Sequence, residues 1–250
     1  MRFENKVERL RIEKHGGKET KEFLEDVQKL TSGEAFEYLM GEVTFCGAKI
    51  DLSLRPMIPR PETEFWVHQA IENILSSKTE FSLRVLDMFS GSGNVGLAIL
   101  KNIPESIVDF IEVDPKLSEQ INISIRKNNI KKTRTRVVTG DIWEGVSGTY
   151  DYIFAVPPYV PPSMKEEVMK ELSAESPLSF FDKEDGYYYH TQVVSSAKEF
   201  LKEGGTLYLE FDITQREKIE TLALAHGFSN YTFLKDPYGH ECAIKLMHVQ

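Results

Sequence analysis

The sequence lacks most of the features that mark secreted, membrane-spanning or metal-binding proteins. Only two cysteines, Cys46 and Cys242, occur among its 250 residues, and they have no metal-ligand spacing. We therefore expect two unreactive thiols in a reducing compartment and no metal site. No apolar run is long enough to span a bilayer, and the charged residues 1–6 do not resemble a signal peptide. These absences predict a cytoplasmic location.

Positive charge is also scarce. The chain has 30 lysines and arginines but 39 aspartates and glutamates, which gives a formal net charge of −9. Because binding to the phosphate backbone needs a basic face, this balance argues against a nucleic-acid partner. We interpret the basic residues within 127–136 as a solvated turn between a helix and a strand. The 41% of hydrophobic residues suits one α/β domain, with or without a small appendage, and we expect a monomer.

The spacing of apolar residues divides the chain into three parts. In residues 1–40 the apolar positions recur at helical spacing, which predicts a small helical domain. Residues 41–57 alternate around Gly47 and predict a β-hairpin linker. Residues 58–250 form the third part. From residue 82 onward its strand-like and helix-like segments alternate.

This alternation predicts a Rossmann-like α/β fold with a mostly parallel seven-stranded sheet covered by helices. The predicted strands are residues 84–89, 107–113, 136–139, 152–155 and 206–211, with a closing antiparallel pair at 231–235 and 242–247. A helix at residues 187–201, ended by the glycine pair at 204–205, precedes the fifth strand.

A glycine-rich turn follows the first strand of this sheet and contains Asp87, Gly91 and Gly93. Glycines let the backbone approach a ligand closely, and the following helix adds partial positive charge. The turn departs from a full G-x-G-x-x-G because Phe89 stands where the first glycine would fall. Alone, such a turn is compatible with several nucleotide cofactors.

Carboxylates follow the next two strands at matching positions. Asp114 comes after the second strand, where a carboxylate can bind both ribose hydroxyls, and Glu112 is the alternative for that role. Asp141, followed by Ile142, comes after the third strand, where it can accept from an adenine amino group. This series of strand ends predicts S-adenosylmethionine rather than a dinucleotide as the cofactor.

After the fourth strand comes the run Val156-Pro157-Pro158-Tyr159. It resembles the X-Pro-Pro-Tyr loop of amino-group methyltransferases, in which X is Asn or Asp. In that loop the X side chain and a backbone carbonyl hold an NH₂ group, and the tyrosine ring packs on the flat acceptor. Two prolines stiffen the backbone. Here the X position is Val156, whose side chain accepts no hydrogen bond.

Longer segments resemble one family, the release-factor glutamine N5-methyltransferases. They are residues 33–41 (GEAFEYLMG), 58–64 (IPRPETE), Asp185-Gly186 and the strand at 205–210. The resemblance implies a class I methyltransferase that methylates the glutamine of the Gly-Gly-Gln loop of peptide release factors. It also implies that residues 1–40 dock the release factor. The implied catalytic loop is residues 156–159, and the implied substrate contacts are Arg60, Pro61, Glu62 and Tyr159.

Three positions depart from the family pattern. Ala35 replaces a common proline and Phe89 a common glycine, and both changes are expected to be tolerated. Val156 in place of asparagine removes the acceptor for the glutamine amide. The sequence therefore leaves three possibilities open: a weakened protein-glutamine methyltransferase, a nucleic-acid amino methyltransferase, and a non-catalytic homologue that binds the cofactor or a release factor.

Overall fold

Residues 2–40 fold into short helices around an apolar centre of their own. The computed structural model describes residues 2–77, 82–172 and 175–249. Helices α1 (Phe3–Arg9), α2 (Lys21–Thr31) and α3 (Phe36–Met40) surround a π-helical turn at Leu10–Lys14. Their buried apolar side chains form one cluster: Leu10, Phe23, Leu30, Phe36 and Leu39.

The predicted hairpin follows these helices. Strands β1 (Glu42–Phe45) and β2 (Ala48–Asp51) pair antiparallel. Cys46 and Gly47 between them have φ values of 45° and 80°. Two left-handed residues in a row give the tight turn whose twist matches that of the flanking strands.

The rest of the described chain is built around a seven-stranded sheet. Its strands are β3 (Arg84–Met88), β4 (Ile107–Glu112), β5 (Thr135–Thr139), β6 (Tyr150–Ala155), β7 (Leu201–Glu210), β8 (Asn230–Lys235) and β9 (Glu241–Met247). Their order is β5-β4-β3-β6-β7-β9-β8. The first five strands in this order are parallel, and β9 runs antiparallel to both neighbours. The predicted fold class, mostly parallel with a closing antiparallel pair, is confirmed.

Helices cover both faces of the sheet. They are α4 (Pro61–Ser76), α5 (Asn94–Asn102), α6 (Pro115–Lys127), α8 (Tyr188–Phe200) and α9 (Arg216–Ala225), while the short helix α7 (Lys165–Glu171) lies in the segment between β6 and α8. Successive strand residues point to opposite faces, so Phe154 packs with α4, α5 and α6 while Ile153 packs with α8 and α9. Trp66 of α4 is fully buried and stacks on Phe154 and Tyr208.

The hairpin is fixed to α6 by polar contacts. The Asp51 N–H donates to Ser124 Oγ over 3.0 Å, and the Asp51 carboxylate accepts from Gln120 and Lys127. Burial acts to raise the pKa of Asp51, but the hydrogen bonds from Lys127, Ser53 and Gln120 outweigh it and hold that pKa below its usual range. The hairpin is thus part of the packed body of the protein.

Most predicted strand boundaries lie within one or two residues of the observed ones, and the largest departure is at β7. The strand expected to begin at residue 206 begins at Leu201, so the glycine pair at 204–205 lies inside β7. The Gly204 N–H donates to the His248 carbonyl, and the His248 N–H donates to the Gly205 carbonyl. These long-range bonds extend the strand through residues whose local preference is for a turn. Among the described helices, none has the length and apolar character needed to cross a membrane.

Candidate active site

The carboxyl ends of β3, β4, β5 and β6 meet at one edge of the sheet and open into a single cleft. Its empty space, the open mouth included, is about 1090 Å³. The predicted site residues that line it are Arg60, Asp87, Phe89, Gly91, Asp114, Asp141, Ile142, Val156 and Pro158. Pro61, Glu62, Gly93, Pro157 and Tyr159 lie outside the lining.

Asp87 supports the glycine-rich turn from below. Its side chain is buried, and Oδ2 accepts the Gly96 N–H of α5 over 2.9 Å. Burial raises the pKa of Asp87 to about 8, against the effect of the Gly96 N–H, and the nearby Glu112 charge raises it further. The carboxyl group therefore ties the end of β3 to the start of α5, which fixes the floor of the cleft.

Glycine is required in this turn for two different reasons. Gly91 has φ of 52° and donates its N–H to Glu112 Oε2 over 2.7 Å. Gly93, with φ of 77°, precedes α5, and a Cβ there would lie 3.0 Å from Ile121. Gly93 therefore serves close packing of the turn on α6 rather than the cleft surface.

Phe89 has a backbone conformation that is more common for glycine. Its φ of 55° is in the left-handed region that favours glycine. The ring lies edge to face with Tyr189, with 5.3 Å between the centroids, and both residues line the cleft. The departure from the glycine pattern thus places an aromatic pair on the cleft wall, after β3, which lies between β4 and β6 in the sheet.

At the end of β4 the two candidate carboxylates have different tasks. Glu112 is buried, its two oxygens accept the N–H groups of Gly91 and Asp114, and burial raises its pKa. Asp114 is half-buried, caps α6 by accepting the Lys116 N–H through Oδ1, and keeps Oδ2 for another donor. This geometry favours Asp114 over Glu112 for contact with a ribose.

Asp141 and Ile142 follow β5 and lie at the same end of the cleft as Asp114. The Asp141 carboxylate receives a bond of 3.0 Å from Lys183, which also lies over the Tyr188 and Tyr189 rings. Because this ion pair uses Oδ2, the second oxygen of Asp141 can accept an amino group. The sequence did not predict Lys183, which is 42 positions away from Asp141 along the chain.

The Pro-Pro-Tyr loop forms the opposite end of the cleft. Val156 is half-buried against the core beneath α4, and both prolines are buried. Tyr159 packs beside His190, with 6.3 Å between the ring centroids. Burial, and secondarily the Glu210 carboxylate, raise the pKa of Tyr159 well above its usual range, so its hydroxyl stays protonated.

Residues 58–64 wall the cleft beside this loop. Buried Glu175 accepts the Ile58 N–H over 2.9 Å and Arg60 Nη2 over 2.7 Å. The guanidinium also lies 6.0 Å from the centre of the Phe180 ring. Arg60 is thereby held at the cleft by a fixed carboxylate, and Pro61 and Glu62 begin α4 behind it.

Sequence reasoning missed Glu210, which lies next to the loop. Glu210 ends β7, and its Oε2 accepts Thr63 Oγ1 over 2.7 Å and Trp66 Nε1 over 2.6 Å. Burial raises the pKa of Glu210, although these bonds lower it. A carboxylate at the end of a strand was the signal used for Asp114 and Asp141, and it could have identified Glu210 as well.

Several known proteins are similar to this chain in sequence. The family profile described as "Methyltransferase small domain" matches residues 69–182. Release factor glutamine methyltransferase from Streptococcus pneumoniae is 31% identical over 226 residues, covering 88% of this chain and 78% of the relative. Its counterpart from Thermodesulfovibrio yellowstonii is 31% identical over 216 residues, covering 85% and 76%.

A solved structure shows the same fold. The methyltransferase from Pyrococcus furiosus superposes with a TM-score of 0.58 at 19% identity, over 82% of this chain and 90% of that one. The predicted fold and family are both confirmed. By its identity to the curated relatives over most of its length, the chain belongs to the family of release factor glutamine methyltransferases.

Proposed function

We propose that this protein transfers a methyl group from S-adenosylmethionine to the side-chain amide nitrogen of a glutamine in a peptide release factor. The observation that carries the proposal is one cleft with two different ends. Asp114 and Asp141 at one end suit a nucleoside, and the Pro-Pro-Tyr loop at the other suits a planar amide. The names of the relatives support the release factor as the partner.

The residues at the nucleoside end fit the cofactor. Asp114 Oδ2 would accept from the ribose hydroxyls, and Asp141 from the adenine amino group, with Ile142 beside the ring. Gly91 and Phe89 would lie along the methionine part, since they line the cleft and follow β3, which lies between β4 and β6 in the sheet. Bound there, S-adenosylmethionine supplies a methyl group on a sulfonium, and the S–C bond breaks as the amide nitrogen forms the new N–C bond.

The residues at the other end would orient the acceptor. Pro157 and Pro158 hold the loop rigid, and a backbone carbonyl of the loop would accept one amide N–H. The resemblance assigns the Tyr159 ring to packing on the acceptor, but Tyr159 lies outside the cleft lining, beside His190, so it would support the loop instead. Arg60, Pro61 and Glu62 would contact the release factor around the glutamine. Val156 offers no acceptor for the second N–H, so we propose that turnover is weakened.

The helices within residues 1–40 would add to the surface on which the release factor docks. We propose residues 1–40 as a docking domain, 41–57 as the hairpin that joins it, and 58–250 as the methyltransferase domain. The helices of the first range have an apolar cluster of their own, which supports this division. Because release factors act on ribosomes, the proposed reaction belongs in the cytoplasm.

A second candidate function rests on Val156 itself. A protein that binds the cofactor or a release factor without turnover would tolerate the loss of the amide acceptor. A nucleic-acid amino methyltransferase, the third possibility, is disfavoured by the net charge of −9. In addition, Lys127 and Arg136 of the basic stretch are engaged with Asp51 and Asp109.

A side-by-side transfer assay separates these functions. The purified protein is incubated with S-adenosylmethionine labelled in the methyl group and with an unmethylated release factor, RNA or DNA. Label in the release factor alone supports the proposal. Label only in RNA or DNA contradicts it, and cofactor binding without any transfer supports the non-catalytic protein. A release factor whose Gly-Gly-Gln glutamine is replaced by alanine is the matched control.

A further inference from the structure

Residues 175–182 lie beside the Pro-Pro-Tyr loop and form part of the cleft wall. The Val160 N–H, directly after the loop, donates to the Phe180 carbonyl, and the Asp182 N–H donates to the Val160 carbonyl, both over 2.9 Å. The segment is therefore attached to the acceptor end of the cleft. Four of its residues line the cleft: Ser176, Leu178, Ser179 and Phe181.

The start of this segment also holds Arg60. Glu175 uses both of its oxygens, because Oε2 accepts the Ile58 N–H over 2.9 Å and Oε1 accepts Arg60 Nη2 over 2.7 Å. The side chain of Glu175 is 5% exposed and that of Arg60 is 30% exposed. Pro59 and Pro61 restrict the backbone on both sides of Arg60. Arg60 is thus fixed from behind while part of its side chain remains accessible from the cleft.

The guanidinium has donors left for a ligand. It carries five N–H groups, and its hydrogen bond to Glu175 uses Nη2. Nε and Nη1 can therefore donate to a group in the cleft that Arg60 lines. The Phe180 ring, whose centre lies 6.0 Å from the guanidinium carbon, limits movement of the group on another side.

Glu175 also balances the charge of Arg60. An anion that approaches the guanidinium is attracted by Arg60 and repelled by a carboxylate that lies only 2.7 Å behind it. A neutral carbonyl oxygen meets no such repulsion and can still accept an N–H bond. The backbone of a peptide substrate offers such oxygens on both sides of a glutamine. The pair therefore favours peptide carbonyls over carboxylates and phosphates.

We propose that Glu175 is a positioning residue that presents Arg60 to the release factor as a fixed, charge-balanced donor to the backbone carbonyls beside the target glutamine. The inference rests on the proposed function and names the chemistry by which the protein substrate is recognised. Glu175 does not line the cleft and acts through Arg60.

The variant that tests the positioning role is Glu175→Gln. Its amide oxygen can still accept the Ile58 N–H, and its NH₂ group then faces Arg60, from which it cannot accept. With S-adenosylhomocysteine bound, the Kd of an unmethylated release factor should rise about 3- to 10-fold, the effect of one ordinary hydrogen bond. The Kd of S-adenosylhomocysteine itself should not change. Glu184→Gln, the same chemical change at an exposed position between β6 and α8, is the control.

A double-mutant cycle separates positioning from a general structural role. In an Arg60→Gln background, Glu175→Gln should weaken release-factor binding little further, because the side chain through which Glu175 acts is gone. A residue that only stabilises the fold would cost the same in both backgrounds. Calorimetric titration of the four proteins with the release factor measures this coupling.

Ionic strength gives a readout that needs no Glu175 variant. Salt screens contacts between charges, and a bond to a neutral carbonyl is affected far less. Arg60→Gln should therefore weaken release-factor binding by the same factor at about 0.05 M and about 0.5 M NaCl. If Arg60 instead contacted an anion, the loss would become smaller at the higher salt concentration.

The outcomes separate this inference from the proposed function. A release-factor Kd that Glu175→Gln leaves unchanged, or equal losses in both backgrounds, would overturn the positioning role and leave the proposed function standing. A loss from Arg60→Gln that shrinks with salt, or weaker binding of S-adenosylhomocysteine by that variant, would overturn the contact with neutral carbonyls. Should the wild type neither bind nor methylate a release factor, the proposed function itself fails. Should Glu175→Gln not fold, the salt comparison with Arg60→Gln still decides.

Discussion

Replacing Val156 by asparagine should increase methyl transfer to a release factor. Val156 is half-buried at the acceptor end of the cleft, and its neighbour Pro158 lines the same wall. Asparagine differs modestly from valine in volume and adds a carbonyl oxygen where the substrate amide must be held. The rigid prolines on its C-terminal side keep the loop shape, so the new oxygen should point into the cleft.

The size of the gain follows from the cost of a missing acceptor. A buried polar group left without its partner costs about 1–3 kcal/mol, and the loss of one preorganised group that acts in the transition state costs about 10²–10³ in kcat. We therefore expect a gain of about 10²-fold in kcat. Val156 also packs on the core, so the variant should lose about 1 kcal/mol of stability, or roughly 2–4 °C in Tm.

Initial rates with a release factor and saturating S-adenosylmethionine measure this gain. Val156→Leu is the matched control, because leucine has nearly the shape of asparagine but accepts no hydrogen bond. Its rate should stay at or below that of the wild type. If Val156→Asn and the wild type turn over equally, position 156 does not hold the amide and the reasoning from the loop is refuted.

Three other changes test the cofactor end and the scaffold. Asp114→Ala should weaken calorimetric binding of S-adenosylhomocysteine by about 1–3 kcal/mol, because a charged acceptor for the ribose hydroxyls is lost; unchanged affinity would contradict that role. Gly96→Ala should lower the midpoint of urea unfolding by several times the error of the measurement, because the added Cβ would lie 2.3 Å from Phe110 Cε1. The pKa of Asp51 is lowered by folding, so its stabilising effect is present above its unfolded pKa of about 3.9 and disappears as pH falls below it. Asp51→Asn should therefore be less stable than wild type at neutral pH and lose less free energy of unfolding on acidification, and parallel acid-unfolding curves would contradict this.

The parts of the site that the sequence predicted are those that depend on local order along the chain. Asp114 and Asp141 were found because each follows a strand, and carboxyl ends of parallel strands meet at one edge of the sheet. Val156 was noticed because it interrupts a short motif. These inferences need only the alternation of strands and helices.

The parts that the sequence did not predict depend on contacts between distant segments. Thr63 and Glu210 are 147 positions apart, and only the folded chain shows that they share a hydrogen bond. The start of β7 at Leu201 likewise depends on bonds from residue 204 to residue 248. Tertiary pairing overrides the local preference of the two glycines for a turn.

The position of the added methyl group tests the central claim most directly. After incubation with S-adenosylmethionine, the release factor is digested and its peptides are sequenced by tandem mass spectrometry, for the wild type and for Val156→Asn. We predict one added methyl group on the side-chain amide of the Gly-Gly-Gln glutamine, with more of it in the variant. A methyl group on any other residue, or none with either protein while the cofactor binds, would contradict the account.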